Sequence, residues 1–265
     1  MPRIRLDQLL VKRGMARSRS EAQSLLMAGG VELAGSGTRA LKPGQLVATD
    51  VELASIPQPR WASRGGEKLA AALDAFAVES MGIACLDAGA STGGFTDVLL
   101  ERGARVVYAV DVGRGQLIER LRSDPRVFVK DRTNLRTLES LPELVDLATL
   151  DLSFISLALV LHTVRRLLTE TGRVVALVKP QFEAGREAVP RGGVVRDPAV
   201  HRDVLLRFGD SAASAGFTPT GVIRSPISGG SGNTEFLALL HSGANAKHGP
   251  DAWRQAVDAL FEPSV

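Results

Sequence analysis

Apolar positions along the chain follow two rhythms. Through residue 55 they recur at helical spacing or in very short runs. Leu6, Leu9 and Leu10 share one helical face, and Ala22, Leu25 and Leu26 share another. Gly14 predicts the end of the first helix. Ser18-Arg19-Ser20-Glu21 predicts the start of the second, with Ser18 as cap and Glu21 reaching back. Gly29-Gly30 closes it. Two strand-like pieces follow, Val31-Glu32-Leu33 and Val51-Glu52-Leu53, with Lys42-Pro43-Gly44 as a turn between them. Ser55-Ile56-Pro57-Gln58-Pro59-Arg60 is Pro-rich and polar, and it reads as a linker.

After the linker the apolar runs become nearly continuous. Residues 83–87, 106–111, 127–129, 147–151 and 174–179 each read as a strand buried on both faces. Helical patterns sit between several of them, at 96–102, 116–122 and 157–169. Strands alternating with helices predict an α/β fold with a mostly parallel sheet. Residues 220–223 and 235–240 read as a closing pair of strands with no helix between them. The expected layout is a small α+β domain over 1–56, a linker over 57–63, an α/β domain over 64–245 and a tail helix over 246–265.

Composition narrows the class. Of 265 residues, 45% are apolar and 23% charged, which suits a globular protein with a real core. The single cysteine, Cys85, excludes a disulfide framework and suits a reducing cytoplasm, the expected location. With four scattered histidines beside it, no metal site is expected. No apolar run approaches the ~20 residues that span a bilayer. The start, Met1 to Asp7, lacks the apolar core of a secretory signal. No membrane partner is therefore expected. Charge is uneven: residues 1–60 hold nine basic against five acidic side chains, and the remaining 205 hold 23 against 24. A basic segment on a nearly neutral body points to a polyanion or to a solvated helix face.

The first long strand runs into Asp87-Ala88-Gly89-Ala90-Ser91-Thr92-Gly93-Gly94-Phe95. A Gly-rich turn there lets a ligand approach the backbone. Ser91 stands where the middle glycine of a dinucleotide fingerprint belongs, and no phosphate-binding Lys-Ser/Thr follows. Asp87 before the turn favours a cationic ligand over a pyrophosphate. Asp111, 22 residues past Gly89, is placed to hold ribose hydroxyls, and Asp131 to meet an adenine amino group. This pattern resembles motif I of the class I S-adenosylmethionine methyltransferases. The candidate cofactor residues are Asp87, Gly89, Ala90, Ser91, Thr92, Gly93, Gly94, Asp111 and Asp131.

Four further polar residues stand at element ends. Asp151 and Lys179 close apolar strands, Lys68 lies on the helix before the first long strand, and Glu235 opens the last one. Two structural ion pairs would explain them. The order Lys-Asp-Lys-Glu around such a core resembles instead the FtsJ-like ribose 2′-O-methyltransferases, and it implies Lys68, Asp151, Lys179 and Glu235 as the catalytic set. A lysine can take the proton of a weak ribose nucleophile, and carboxylates hold the lysines in place.

With both halves read, the chain is similar to the TlyA-type rRNA methyltransferases, also called hemolysins. Residues 3–60 resemble the RNA-binding domain of ribosomal protein S-four type, through Arg5-Leu6-Asp7-Gln8-Leu9-Leu10, Ala16-Arg17-Ser18-Arg19 and Gly29-Gly30-Val31. Ala34-Gly35 departs from the Asn-Gly usual there. Asp151 to Leu157, Lys179 to Glu183 and Gly232-Asn233-Thr234-Glu235 match the catalytic motifs. The resemblance implies a Rossmann-like class I methyltransferase domain behind the RNA-binding domain. It implies S-adenosyl-L-methionine as cofactor, with Arg5, Arg17 and Arg19 on RNA. The implied reaction is methyl transfer to the 2′-hydroxyl of cytidine in the rRNA of ribosomal subunits or ribosomes. A non-catalytic RNA-binding or ribosome-assembly protein, a dinucleotide-dependent oxidoreductase, a pseudouridine synthase and a membrane-acting hemolysin are the competing readings.

Overall fold

The computed structural model describes residues 2–27, 31–33, 42–55, 60–185, 187–229, 232–243 and 250–262. Gly29-Gly30, Ala34-Gly35 and residues 56–59 at the linker lie outside these residues. The chain divides into two compact units, Met1–Arg60 and Trp61–Val265.

In the first unit, β1 (Arg3–Arg5) leads into α1 (Leu6–Lys12) and α2 (Arg19–Met27), followed by β2 (Val31–Leu33), β3 (Leu46–Ala48) and β4 (Leu53–Ser55). β1 pairs with β3 and β2 with β4, both antiparallel. The two helical stripes pack together as expected: Leu6, Leu9, Leu10, Ala22 and Leu26 are buried. Gly14 takes φ +71 and ends α1. Ser18 caps α2 through its hydroxyl, which accepts from Glu21 N. Glu21 reaches back one residue further than expected, to Arg17 N at 2.6 Å, instead of to the cap's own amide.

The second unit holds a seven-stranded sheet in the order β10-β11-β9-β8-β5-β6-β7. Its strands are β5 (Ala84–Ala88), β6 (Val106–Val110), β7 (Val127–Lys130), β8 (Val145–Leu150), β9 (Leu168–Val178), β10 (Phe217–Arg224) and β11 (Phe236–Ser242). β5 to β9 are parallel, and β11 runs antiparallel to β9 and β10. The expected helix over 157–169 is shorter: a 3-10 turn over Leu157–Leu159, then α6 (Leu161–Leu167), with β9 beginning at Leu168.

Helices cover both faces. α3 (Gly65–Ala75) and α4 (Gly94–Glu101) pack Leu69, Leu73, Val98 and Leu99 on one face, against Cys85, Val107 and Leu177. α6, α8 (Pro198–Ser214) and α9 (Pro250–Ala259) cover the other, over Leu86, Leu150, Val174 and Phe236. α5 (Glu119–Arg122) and α7 (Pro180–Glu183) are single turns at the strand ends. The helix expected at the C-terminus is therefore part of the core: Trp253 is 4% exposed, Val257 is fully buried, and Trp253 Nε1 donates to Leu205 O at 3.2 Å. Trp253→Ala should leave a void against α8 and cost about 3–5 kcal/mol. Chemical denaturation of the full chain measures it.

Candidate active site

Parallel strands put their carboxyl ends on one edge of the sheet, and ligands of open α/β sheets bind there, where the strand order reverses. In this sheet the reversal lies between β5 and β8. β5 runs into the glycine turn and α4 starts at Gly94. Gly89 has φ +87, and a Cβ there would overlap the carbonyl of Asp151, so only glycine lets the turn pass the end of β8. Gly93 (φ +102) likewise leaves room for Leu117 and Leu121. Ser91 itself takes φ +47, and its amide donates to Asp111 Oδ2 at 2.8 Å.

Two cavities flank this turn and share Gly89, Ser91 and Asp151. One, of about 390 Å³, is lined by Asp111, Gln116, Thr133, Asn134 and the apolar Val110, Val112 and Leu135. Among the described residues its charged lining is Asp111 and Asp151, which favours a neutral or cationic ribosyl ligand. The other, of about 270 Å³, is lined by Lys68, Asp151, Ser63, Arg64, Ala90, Thr92, Gly94 and the 227–229 loop. Asp111 accepts two amides, from Ser91 and Gly113, which aim its carboxylate.

Asp87 and Asp131 fall elsewhere than expected. Neither lines either cavity. Asp87 is fully buried, accepts from Thr96 Oγ1 at 2.6 Å and faces Thr149 Oγ1 at 3.3 Å. Burial is the main cause that pushes its carboxyl up to about 7. Through Thr96 and Thr149 it ties the start of α4 to β8, on either side of the turn. Asp131 accepts from Gly115 N and from Arg122, both at 3.0 Å, which holds its carboxyl low. The cavity wall expected of it is made by Thr133 and Asn134, two and three residues on.

The Lys-Asp-Lys-Glu set comes together as two ion pairs. Lys179 Nζ lies 2.6 Å from Asp151 Oδ1 and donates to Ser153 Oγ at 2.9 Å. Lys68 Nζ meets Glu235 Oε2 at 2.5 Å. Phe236 pairs with Val178 in the sheet, so Glu235 stands at the register position of Lys179. Both lysines are buried, at 9% and 8% exposure.

Sequence reasoning missed Ser63, Arg64, Gln116, Asn134, Ser153 and Phe154. The clearest of these is Phe154: it follows Asp151 closely, is 90% exposed, and takes φ +64, a backbone region bulky side chains avoid. Its ring lies 5.1 Å from that of Phe182.

In the first unit, Arg5 and Arg19 are engaged with Asp7. This carboxylate is fully buried and accepts from Arg5, Arg19 and Gln23 at 2.9–3.1 Å. The Arg5 guanidinium chiefly holds it far below the usual carboxylate range. Arg17 is exposed, and its guanidinium has no hydrogen-bond or ion-pair partner among the described residues. No described helix is long and apolar enough to cross a membrane. Among the described residues no group of three His, Cys, Asp or Glu is placed to hold a metal ion.

The sheet order, the glycine turn and the paired lysines define a methyltransferase-type α/β domain. The FtsJ-like methyltransferase family pattern matches residues 61–242, and the S4 domain pattern matches residues 4–52. The 16S/23S rRNA (cytidine-2′-O)-methyltransferase TlyA of Mycobacterium tuberculosis is 47% identical over 91% of this chain and 90% of that protein. A solved chain from Streptococcus thermophilus that carries a hemolysin name is 42% identical, covers 98% of this chain and 96% of its own, and superposes with TM-score 0.73. A Listeria monocytogenes chain described as an S-adenosylmethionine dependent methyltransferase shares the fold at 18% identity, over 69% of this chain and all of its own, with TM-score 0.52. The chain belongs to the FtsJ-like methyltransferase family, with an S4 domain at its N-terminal end and TlyA proteins among its relatives.

The raised carboxyl of Asp87 sets a pH signature. Its folded value of about 7 lies above the ordinary 3.8. Its stabilising contribution is therefore complete below about pH 4 and lost as pH rises toward 7. Asp87→Asn cannot ionise. The melting temperature of this variant minus that of the wild type should rise from about pH 5 to about pH 8, and paired thermal scans read that difference.

Proposed function

We propose that this protein transfers a methyl group from S-adenosyl-L-methionine to the ribose 2′-hydroxyl of cytidine in ribosomal RNA. The observation that carries the proposal is the pair of buried lysines, each on its own carboxylate, beside a cavity whose charged lining among the described residues is Asp111 and Asp151. The substrate is supported by the S4 domain and by the activity named for the M. tuberculosis relative.

The residues fit the cofactor. Asp111 would take its ribose hydroxyls, Val112 and Leu135 its base, and the backbone of Gly89, Ala90, Ser91, Thr92 and Gly94 the path between, with Gly93 turning the chain against Leu117 and Leu121. When bound, the cofactor supplies an electrophilic methyl on a sulfonium. Lys179 Nζ would first pass one of its protons to its partner Asp151 Oδ1 and, so made neutral, take the proton of the 2′-hydroxyl. Asp151 and Ser153 fix where that nitrogen points. Lys68, held by Glu235, adds a positive centre in the cavity that Asp151 also lines, and steadies the oxygen as charge forms on it. Attack on a methyl carbon is in line, so much of the rate comes from holding the two groups aligned. Asp87 acts on this set only through the start of α4 and β8, which it ties together.

Comparing 2′-O-methylation on rRNA from cells with and without the gene tests the substrate. A cytidine that loses its mark is expected, and an unchanged map would reject it. Lys179→Ala should lower methyl transfer by about 10²–10⁴-fold with cofactor affinity retained. Single-turnover assays and calorimetry separate the two quantities.

Arg17 is the clean probe of RNA binding, because Arg5 and Arg19 also brace Asp7. Arg17→Ala should flatten the slope of log K against log salt by roughly 0.7–0.9 without moving the melting temperature. Binding titrations at several salt concentrations measure the slope.

A further inference from the structure

One acidic side chain close to the catalytic lysine takes no part in the two ion pairs. Glu183 ends α7, four residues after Lys179. Its carboxylate accepts from Ser156 Oγ at 2.6 Å and from Leu157 N at 2.8 Å, and it forms no ion pair among the described residues. Burial is the main cause that pushes its carboxyl above the ordinary value, and the two donors oppose this. A carboxylate desolvated onto two donors of one loop holds that loop more firmly than a neutral acceptor would.

That loop carries the groups that set the lysine. It starts at Asp151, at the end of β8, and runs through Ser153 and Phe154 to Ser156, which caps the 3-10 turn over Leu157–Leu159. Asp151 and Ser153 both hold Lys179 Nζ. Phe154 takes φ +64, a conformation that a bulky residue keeps only where its surroundings impose it. α7 is fixed at its start: Pro180 opens it, and Phe182 N donates to Lys179 O at 2.9 Å. The contacts therefore close a ring. From Lys179 Nζ it passes through Ser153 and along the loop to Leu157, crosses to Glu183, and returns through α7 to Lys179. Without the Glu183 bridge, the groups on the lysine lose their hydrogen-bonded anchor to α7.

We propose that Glu183 is a positioning residue for methyl transfer: by clamping the 153–157 loop to α7 it sets Ser153, and with it the direction of Lys179 Nζ. The inference rests on the ribose methylation and the role of Lys179 proposed above. Glu183 acts through Ser153 and not on the reacting atoms. A purely structural cap would move the melting temperature and leave the rate of each cofactor-loaded molecule as it was.

The test uses the full chain with ribosomal subunits, saturating S-adenosylmethionine, and single-turnover rates counted per bound cofactor. Glu183→Ala should lower that rate by about 10–100-fold. Glu183→Gln keeps an acceptor for Leu157 N and a polar partner for Ser156 Oγ, and it should stay within about threefold of the wild type. Ser153→Ala should also slow transfer. The double variant with Glu183→Ala should fall no more than about threefold below the slower single, because both changes undo one arrangement. Amide hydrogen exchange over residues 153–158 should speed up in Glu183→Ala and not in Glu183→Gln. Should Glu183→Ala not fold, Ser156→Ala removes one of the two bonds and takes its place in each comparison. A wild-type rate in Glu183→Ala or Ser153→Ala, a Gln variant as slow as the Ala variant, losses that multiply in the double variant, or unchanged exchange in Glu183→Ala would each overturn the assignment. If Lys179→Ala keeps the wild-type rate, the reading of the lysine fails first and this one fails with it.

Discussion

Two lysines can be buried at one sheet edge only if each has a carboxylate of its own. A buried ammonium without a partner costs several kcal/mol, and removing one member of a buried pair typically costs about 3–5 kcal/mol. Here the pairs are Lys179 with Asp151 and Lys68 with Glu235. Their placement depends on the sheet. β8 and β9 run parallel, so Asp151 and Lys179 leave the sheet on the same side. β11 runs antiparallel, so its first residues reach that side from the opposite direction, and Glu235 arrives beside them. A wholly parallel sheet would send the start of that strand to the far edge. The reversed last strand thus completes the charge balance that permits the buried lysines.

The glycine turn obeys a second constraint, that of close approach. Gly89 passes the carbonyl of Asp151 with no room for a side chain. The cavity and Asp151 are therefore linked through the backbone, and a change at the turn shifts both. Asp87 sits beneath this contact with Thr96 and Thr149 as partners. Its burial places an ionisable group under the turn, where Asp111 from above already holds the amides of Ser91 and Gly113. One carboxylate shapes the turn from the core and the other from the cavity, although both look alike in the sequence as acids at strand ends.

This contrast explains what could be read from the sequence. Buried parallel strands appear as apolar runs, so their ends, and with them Asp151 and Lys179, were visible. Glu235 and Lys68 were marked only as members of a motif, and their pairing across 167 residues was not legible. Which side of a strand end a carboxylate faces depends on backbone turns a few residues long. The sequence therefore marked Asp131 but not Thr133 and Asn134, which line the cavity two and three residues on. The early start of β9 at Leu168 was not legible because Leu-Thr-Glu-Thr-Gly holds a single large apolar side chain and so does not announce a strand. α8 had a readable signal: Asp197 caps it, Pro198 opens it, and Val204, Leu205, Phe208 and Ala212 form its stripe.

The N-terminal unit meets the opposite demand. It is basic, yet Asp7, at the start of α1, is fully buried and held by Arg5, Arg19 and Gln23. A carboxylate that gathers two arginines lowers the repulsion among basic groups on a short helical pair and fixes the directions of their guanidinium planes. It also withdraws part of their charge from any RNA. Arg19 uses only Nε on Asp7 and keeps its terminal nitrogens, while Arg5 commits Nε and one of its two. The same two residues thus hold the domain together and keep part of their charge outward, whereas Arg17, like Arg3 and Lys12, is exposed with no side-chain partner among the described residues.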